Sequence, residues 1–289
     1  MLLAAAIVSG CQREQRDEVA APDDGAARVV AVARFEIAPT IVVPEWDPLE
    51  TTLLHDETIQ ALVKANVMDV VERTRLERVL EEQQLTKNEI TDPARAAALG
   101  KVLGADYFVL GTLRRLSLDH QATRLPYTDR TERRLAGRAR VDLRVVEVET
   151  SRIAFSDSAD VALTRSGDAA GAGAASLRAM LEELQREAGH EVALLVVDAL
   201  APIRVAGVRT KEIDLDRGGA TAPIGATFDV VDDDGRRVAR VEVTESLEGS
   251  SVAAVVDQNA LIEVSMRCRR AATPPPTVEA RHDPLEDRW

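Results

Sequence analysis

The alternation of apolar and polar positions is clearest from Arg138 onward. Ala139, Val141, Leu143 and Val145 fall on one side of an extended chain, and Arg138, Arg140, Asp142 and Arg144 on the other. Period two of this kind predicts a half-buried strand. Glu149–Arg152 then reads as a turn into a partner strand that starts at Ile153-Ala-Phe155. Between about 174 and 200, Leu177, Met180, Leu181, Leu184, Ala188, Val192, Leu195, Val196 and Ala199 keep helical spacing through Gly189, which predicts one long helix. Upstream, the β-rich run 28–35 predicts an opening strand, residues 38–50 with three prolines a loop, 52–66 a helix and 67–71 a second strand. The 52–66 helix carries an imperfect stripe of Leu54, Ile59, Leu62 and Val63. Thr74-Arg-Leu-Glu77 has capping-box residue types and opens a further helix with Leu76, Val79, Leu80 and Gln83 on one face. Asp92-Pro93 starts another, with Leu99, Val102 and Leu103 as its apolar face and Gly104 as its stop. Tyr107–Leu113 is a buried-type strand.

Pro202 ends the long helix, and residues 203–270 hold only strand-like runs and turns: 213–215, 225–231, 238–243, 251–256 and 261–266, with a hairpin signal at Asp234-Gly235. The fold class expected is therefore α/β or α+β with interleaved strands and helices, followed by a small all-β, barrel-like domain. The corresponding divisions are 28–202 and 203–271, flanked by a tether at 12–27 and a proline-containing tail at 272–289 expected to lack order.

The N-terminus adds a different signal. Residues 2–8 form an apolar run of leader length, too short to span a bilayer, and Val8-Ser-Gly-Cys11 resembles the bacterial lipobox. No Lys or Arg precedes the run. On this reading residues 1–11 are a lipoprotein signal peptide with its lipidated cysteine, Cys11 is the acyl acceptor, and Gln12 after it favours the outer membrane. Cys268 is then the only thiol with no partner for a disulfide, and it reads as a small core filler.

Composition narrows the function. The 289 residues carry a formal charge of −13 and only 3% aromatic residues. That disfavours nucleic-acid binding, which starts from basic charge and stacking platforms, and the aromatic girdles of membrane barrels. Phosphate loops, dinucleotide fingerprints, metalloprotease and C-x-x-C motifs and the G-x-S-x-G elbow do not occur, and the four histidines are not clustered. Asp214-x-Asp216-x-Gly218 has Gly225 where a calcium loop needs a bidentate Glu. No catalytic, cofactor-binding or metal-ligating set is therefore assigned. One segment stands apart: residues 114–144 hold nine arginines and four acids, a local charge of +5, which leaves −18 for the rest. Arg115, Arg124, Arg130, Arg133, Arg134, Arg138 and Arg140 are assigned to an interaction surface, for an acidic neighbouring subunit or an anionic envelope polymer.

The stretch 67–85, with Glu72-Arg73 and Leu76-Glu-Arg-Val-Leu-Glu-Glu-Gln83, followed by Leu99-Gly-Lys-Val-Leu-Gly-Ala-Asp-Tyr-Phe-Val-Leu-Gly-Thr112, resembles the CsgG family of curli-secretion lipoproteins. LpoB-type activators of penicillin-binding proteins and FlgO/FlgT-like proteins are related, and 203–270 looks like the β domain that ends FlgT-like proteins. The resemblance covers about 28–200. It implies an α/β domain that associates with copies of itself, lipid-anchored on the periplasmic face of the outer membrane. The function it implies is non-enzymatic: assembly or secretion of surface structures with an envelope protein as partner or, alternatively, activation of a penicillin-binding protein. Pore formation by the chain alone is not expected. Segment 114–137 carries Pro126 and several arginines, and each lipid-facing arginine near the bilayer midplane costs about 2–4 kcal/mol.

Overall fold

The computed structural model describes residues 28–41, 50–71, 92–124, 131–166 and 173–271. Its first half is built on a sheet of order β3-β1-β4-β5-β6, with β2 (Glu36–Ile37) added alongside β4. β1 (Val29–Val32), β3 (Asp69–Val70) and β4 (Tyr107–Arg124) run parallel. β4, β5 (Thr131–Glu147) and β6 (Ile153–Ser166) form a long antiparallel meander.

Two helices cover one face of this sheet. α1 (Thr52–Ala65) buries Leu54, Ala61 and Leu62, and stops at Asn66 in the left-handed conformation. α3 (Ala174–Leu200) presents Met180, Leu181, Leu184, Ala188, Val192 and Val196 to the same core. The two helices cross at Gly189, where a Cβ would lie 2.6 Å from the carbonyl oxygen of Leu54. Side chains alternating inward along β5, from Leu135 to Val145, complete that core as their period predicts. Among the described residues the opposite face is covered at one end only. There α2 (Pro93–Leu103) buries Ala96, Ala97, Leu99 and Leu103 against Ala31, Phe108, Leu110, Val146 and Val148. Asp92 caps α2 by accepting the N–H of Ala94, and Gly104 ends it at φ +70.

Ile203 begins a closed six-stranded barrel of order β10-β11-β8-β7-β12-β9. Its strands are β7 (Ile203–Val208), β8 (Glu212–Leu215), β9 (Thr227–Val231), β10 (Arg237–Ser246), β11 (Ser251–Gln258) and β12 (Arg267–Arg270). Phe228, Val230, Val241, Ile203 and Cys268 fill it. Gly235, at φ +72, turns β9 into β10 as the Asp-Gly pair predicts.

Several expectations change. β4 continues to Arg124, far past Leu113, and only Asp69–Val70 of the run 67–71 pairs as strand. Val63 and Val102 are exposed rather than part of their helices' buried stripes. Leu261–Met266 is not a strand: the segment turns through Ser265 at φ +74 and drops Ile262 into the barrel core, and the pairing strand is Arg267–Arg270. β7, Ile203–Val208, falls outside the strand-like runs of the sequence. The predicted helix from Thr74, residues 42–49 of the proline loop, the tether and the tail lie outside the described residues.

Candidate interaction surface

The meander β4–β5–β6 has two faces of opposite character, and a bulge fixes which residues go where. Leu113 pairs with Val141 and Arg115 with Arg140, so Arg114 is the extra residue. Beyond it Leu116 and Leu118 turn toward the helices, and Arg115, Ser117, Asp119, Gln121 and Thr123 turn away. On β5 the helix side carries Leu135, Gly137, Ala139, Val141 and Leu143, while Arg134, Arg138, Arg140, Asp142 and Arg144 share the open face with Arg115. Gly137 is where α3 comes closest, since a Cβ there would stand 2.7 Å from Leu184 and 3.1 Å from Met180.

The assigned arginines therefore divide. Arg115, Arg134, Arg138 and Arg140 line one exposed face, joined by half-buried Arg144. Arg124 and Arg133 sit near the tip on the opposite side, the side of Ala122 and Leu135. Arg130 lies outside the described residues, as does Cys11. Within the open face Asp142 receives Arg114 at 2.9 Å and Arg140 at 3.4 Å, and Arg140 reaches Asp160 on β6 at 3.3 Å. Asp119 and Glu132 are the other acids on it. Alternation along 138–144 already puts Asp142 and Arg144 beside Arg138 and Arg140, whereas Asp160 on β6 and Arg115 beyond the bulge join that face only through strand register.

The titratable groups elsewhere do structural work. His55 is buried against Phe35, with Nε2 3.2 Å from the carbonyl oxygen of Val32. Burial raises Tyr107, and it pushes the Cys268 thiol up to about 12, aided by Asp216 and Asp198. Arg240 is held charged by a two-pronged hydrogen bond to Asp229, at 2.7 and 3.0 Å. Burial raises Asp198, on α3, to about 6 against the opposing attraction of Arg270. Among the described residues no three His, Cys, Asp or Glu are grouped to hold a metal, and no helix is long and apolar enough to cross a membrane.

No curated protein matches the chain. Among solved structures it is similar to the hypothetical protein CT253 from Chlamydia trachomatis, at 14% identity and a TM-score of 0.40 over 61% of this chain and 99% of that one. It is also similar to the LpoB C-terminal domain from Salmonella enterica, at 14% identity and a TM-score of 0.30 over 48% and 86%. A third is the lipoprotein GNA1162 from Neisseria meningitidis, at 12% and 0.35 over 54% and 94%. Residues 26–195, more than half of the chain and the part that contains the sheet, α1, α2 and most of α3, match the family described as curli production assembly/transport component CsgG. The chain belongs to the CsgG family.

Proposed function

We propose that this chain is a non-enzymatic lipoprotein of the cell envelope, anchored through Cys11 on the periplasmic face of the outer membrane. In this reading it serves the assembly or secretion of surface structures. Residues 28–202 form the family domain and associate with copies of themselves or with an envelope protein, and 203–271 form an appended β domain. Family membership over 26–195 is the observation that carries the reading. The lipobox-like Val8-Ser-Gly-Cys11 supports the anchor.

The packing of α3 supports a body that does not insert by itself. A spanning strand pair needs an apolar face free for lipid. In the meander that face is taken up by Met180 and Leu184 of α3 where they pack on Gly137, and the other face carries arginines. Acyl labelling in a bacterial host tests the anchor. Label is expected on the wild-type chain and none on Cys11→Ala, and equal labelling would overturn it. Size exclusion of the chain then tests association. Multimers are expected, whereas monomers that bind and stimulate a penicillin-binding protein would favour the activator alternative.

A further inference from the structure

On the barrel, several surface arginines meet an acid on a neighbouring strand: Arg240 clasps Asp229, Arg237 reaches Asp257 and Arg209, between β7 and β8, clasps Asp214. On the open face of the meander only Arg114 and Arg140 are matched in this way, by Asp142 and Asp160. Arg138 lies between Ser117 and Ala162, Arg134 between Gln121 and Ser166, and Arg144 between Leu110 and Ser156. Arg115 is opposed by another cation, Arg140. Like charges directly opposite on paired strands are destabilising, and none of Arg115, Arg134, Arg138 and Arg144 has an ion pair among the described residues.

Resting on the reading of this face as a contact surface, we propose that it docks an extended acidic segment of a partner protein, whose carboxylates complete the unpaired guanidinium groups. The guanidinium fork matches a carboxylate two-pronged, as Arg240 and Asp229 already show within this chain. Arg138 and Arg140 stand two residues apart on one strand, about 7 Å, which is the period of alternate side chains on an extended peptide. Small residues on β6, Ser156, Ala162 and Ser166, flank the cations and leave room beside them. A short acidic segment is favoured over a long polyanion. The patch is an island on a chain of net charge −13, and a polymer that overran it would meet repulsion within a Debye length of roughly 8–10 Å.

The test uses the full-length chain and a fluorescein-labelled decapeptide that alternates Glu and Ser, read by fluorescence anisotropy. A Gln-for-Glu peptide and polygalacturonate serve as comparison probes. The acidic peptide is expected to bind in a salt-sensitive way, and the Gln peptide not to bind. R138S/R144S is expected to weaken binding roughly tenfold, and R236S, on the barrel, to leave it unchanged. R134Q gives an independent, milder loss, and melting curves of each variant show that the sheet is intact. Unchanged binding by folded R138S/R144S, equal binding of the Gln peptide, or binding of polygalacturonate in place of the peptide would each overturn the proposal. None of these outcomes bears on Cys11 labelling, so the envelope reading stands or falls separately.

Discussion

Asp198, near the end of α3, lies beside Arg270 on the last strand of the barrel, whose backbone N–H and positive charge both favour the ionised carboxyl. This contact ties the helix layer of the sheet to the barrel wall. The Arg270 guanidinium lies over the Phe228 ring at 5.1 Å and donates to the carbonyl oxygen of Thr221 at 2.7 Å. Glu191, on the same helix, adds repulsion, and burial outweighs the attraction of Arg270, so Asp198 titrates near 6.

The pH dependence has a definite sign. The carboxyl is raised in the folded chain, so the folded state binds the extra proton between about 4 and 6. The stabilising contribution is complete below about 4 and is lost as pH rises through 6, with an upper bound of about 3 kcal/mol. Asp198→Asn keeps an acceptor for Arg270 and removes the charge. Thermal melts are expected to show it more stable than wild type at pH 7.5, with a flatter profile between 4 and 6.5. A lower melting temperature at pH 7.5 would show that the attraction of Arg270 outweighs burial.

Gly189→Ala should destabilise, although alanine ordinarily gains about 1 kcal/mol over glycine inside a helix. Its Cβ would press on backbone, 2.6 Å from Leu54 O and 3.1 Å from Thr58 N. Parting α1 from α3 is expected to cost about 1–3 kcal/mol in denaturant melts. A neutral or stabilising result would mean that the helices cross less closely than described.

The loop before β12 makes a paired prediction. Ile262 is 5% exposed and Leu261 72% exposed. Ile262→Ala should lose about 2–4 kcal/mol by leaving a hole in the barrel, whereas Leu261→Ala should stay within about 0.5 kcal/mol of wild type. A loss at Leu261→Ala as large as that at Ile262→Ala would overturn this placement of the two side chains.

Cys268 should be chemically silent while the barrel is closed. In a Cys11→Ala chain, its buried thiol, pushed up to about 12, should resist an aromatic disulfide reagent at mildly alkaline pH. It should react stoichiometrically in denaturant, and fast labelling of the folded protein would contradict its place in the core.

These elements also show where sequence reading reaches and where it stops. β5 and α3 were legible because each buries one face against an aliphatic core, which writes period two or 3.6 into the chain. The outer half of β4 has no such record, since from Asp119 to Arg124 every residue is exposed. β12 was hidden by its composition: three arginines around Cys268 look nothing like a strand, while the apolar residues just before it do. The basic segment was visible as a count, and alternation sorted only its 138–144 end into faces. Register sends Arg134 and Arg138 one way and Arg133 the other.

The bulge at Arg114 has a consequence for how this arm tolerates changes of length. Leu113 already faces the helices and Arg115 already faces away, so the alternation is regular on either side of the extra residue. Deleting Arg114 would straighten β4 and leave Leu116 and Leu118 over α3, at the loss of one hydrogen bond to Asp142. Inserting or removing a residue between Leu116 and Leu118 would exchange the two faces from that point on. The β4–β5 pairing thus keeps its slack in a single place, where a residue can be lost without exchanging the faces on either side.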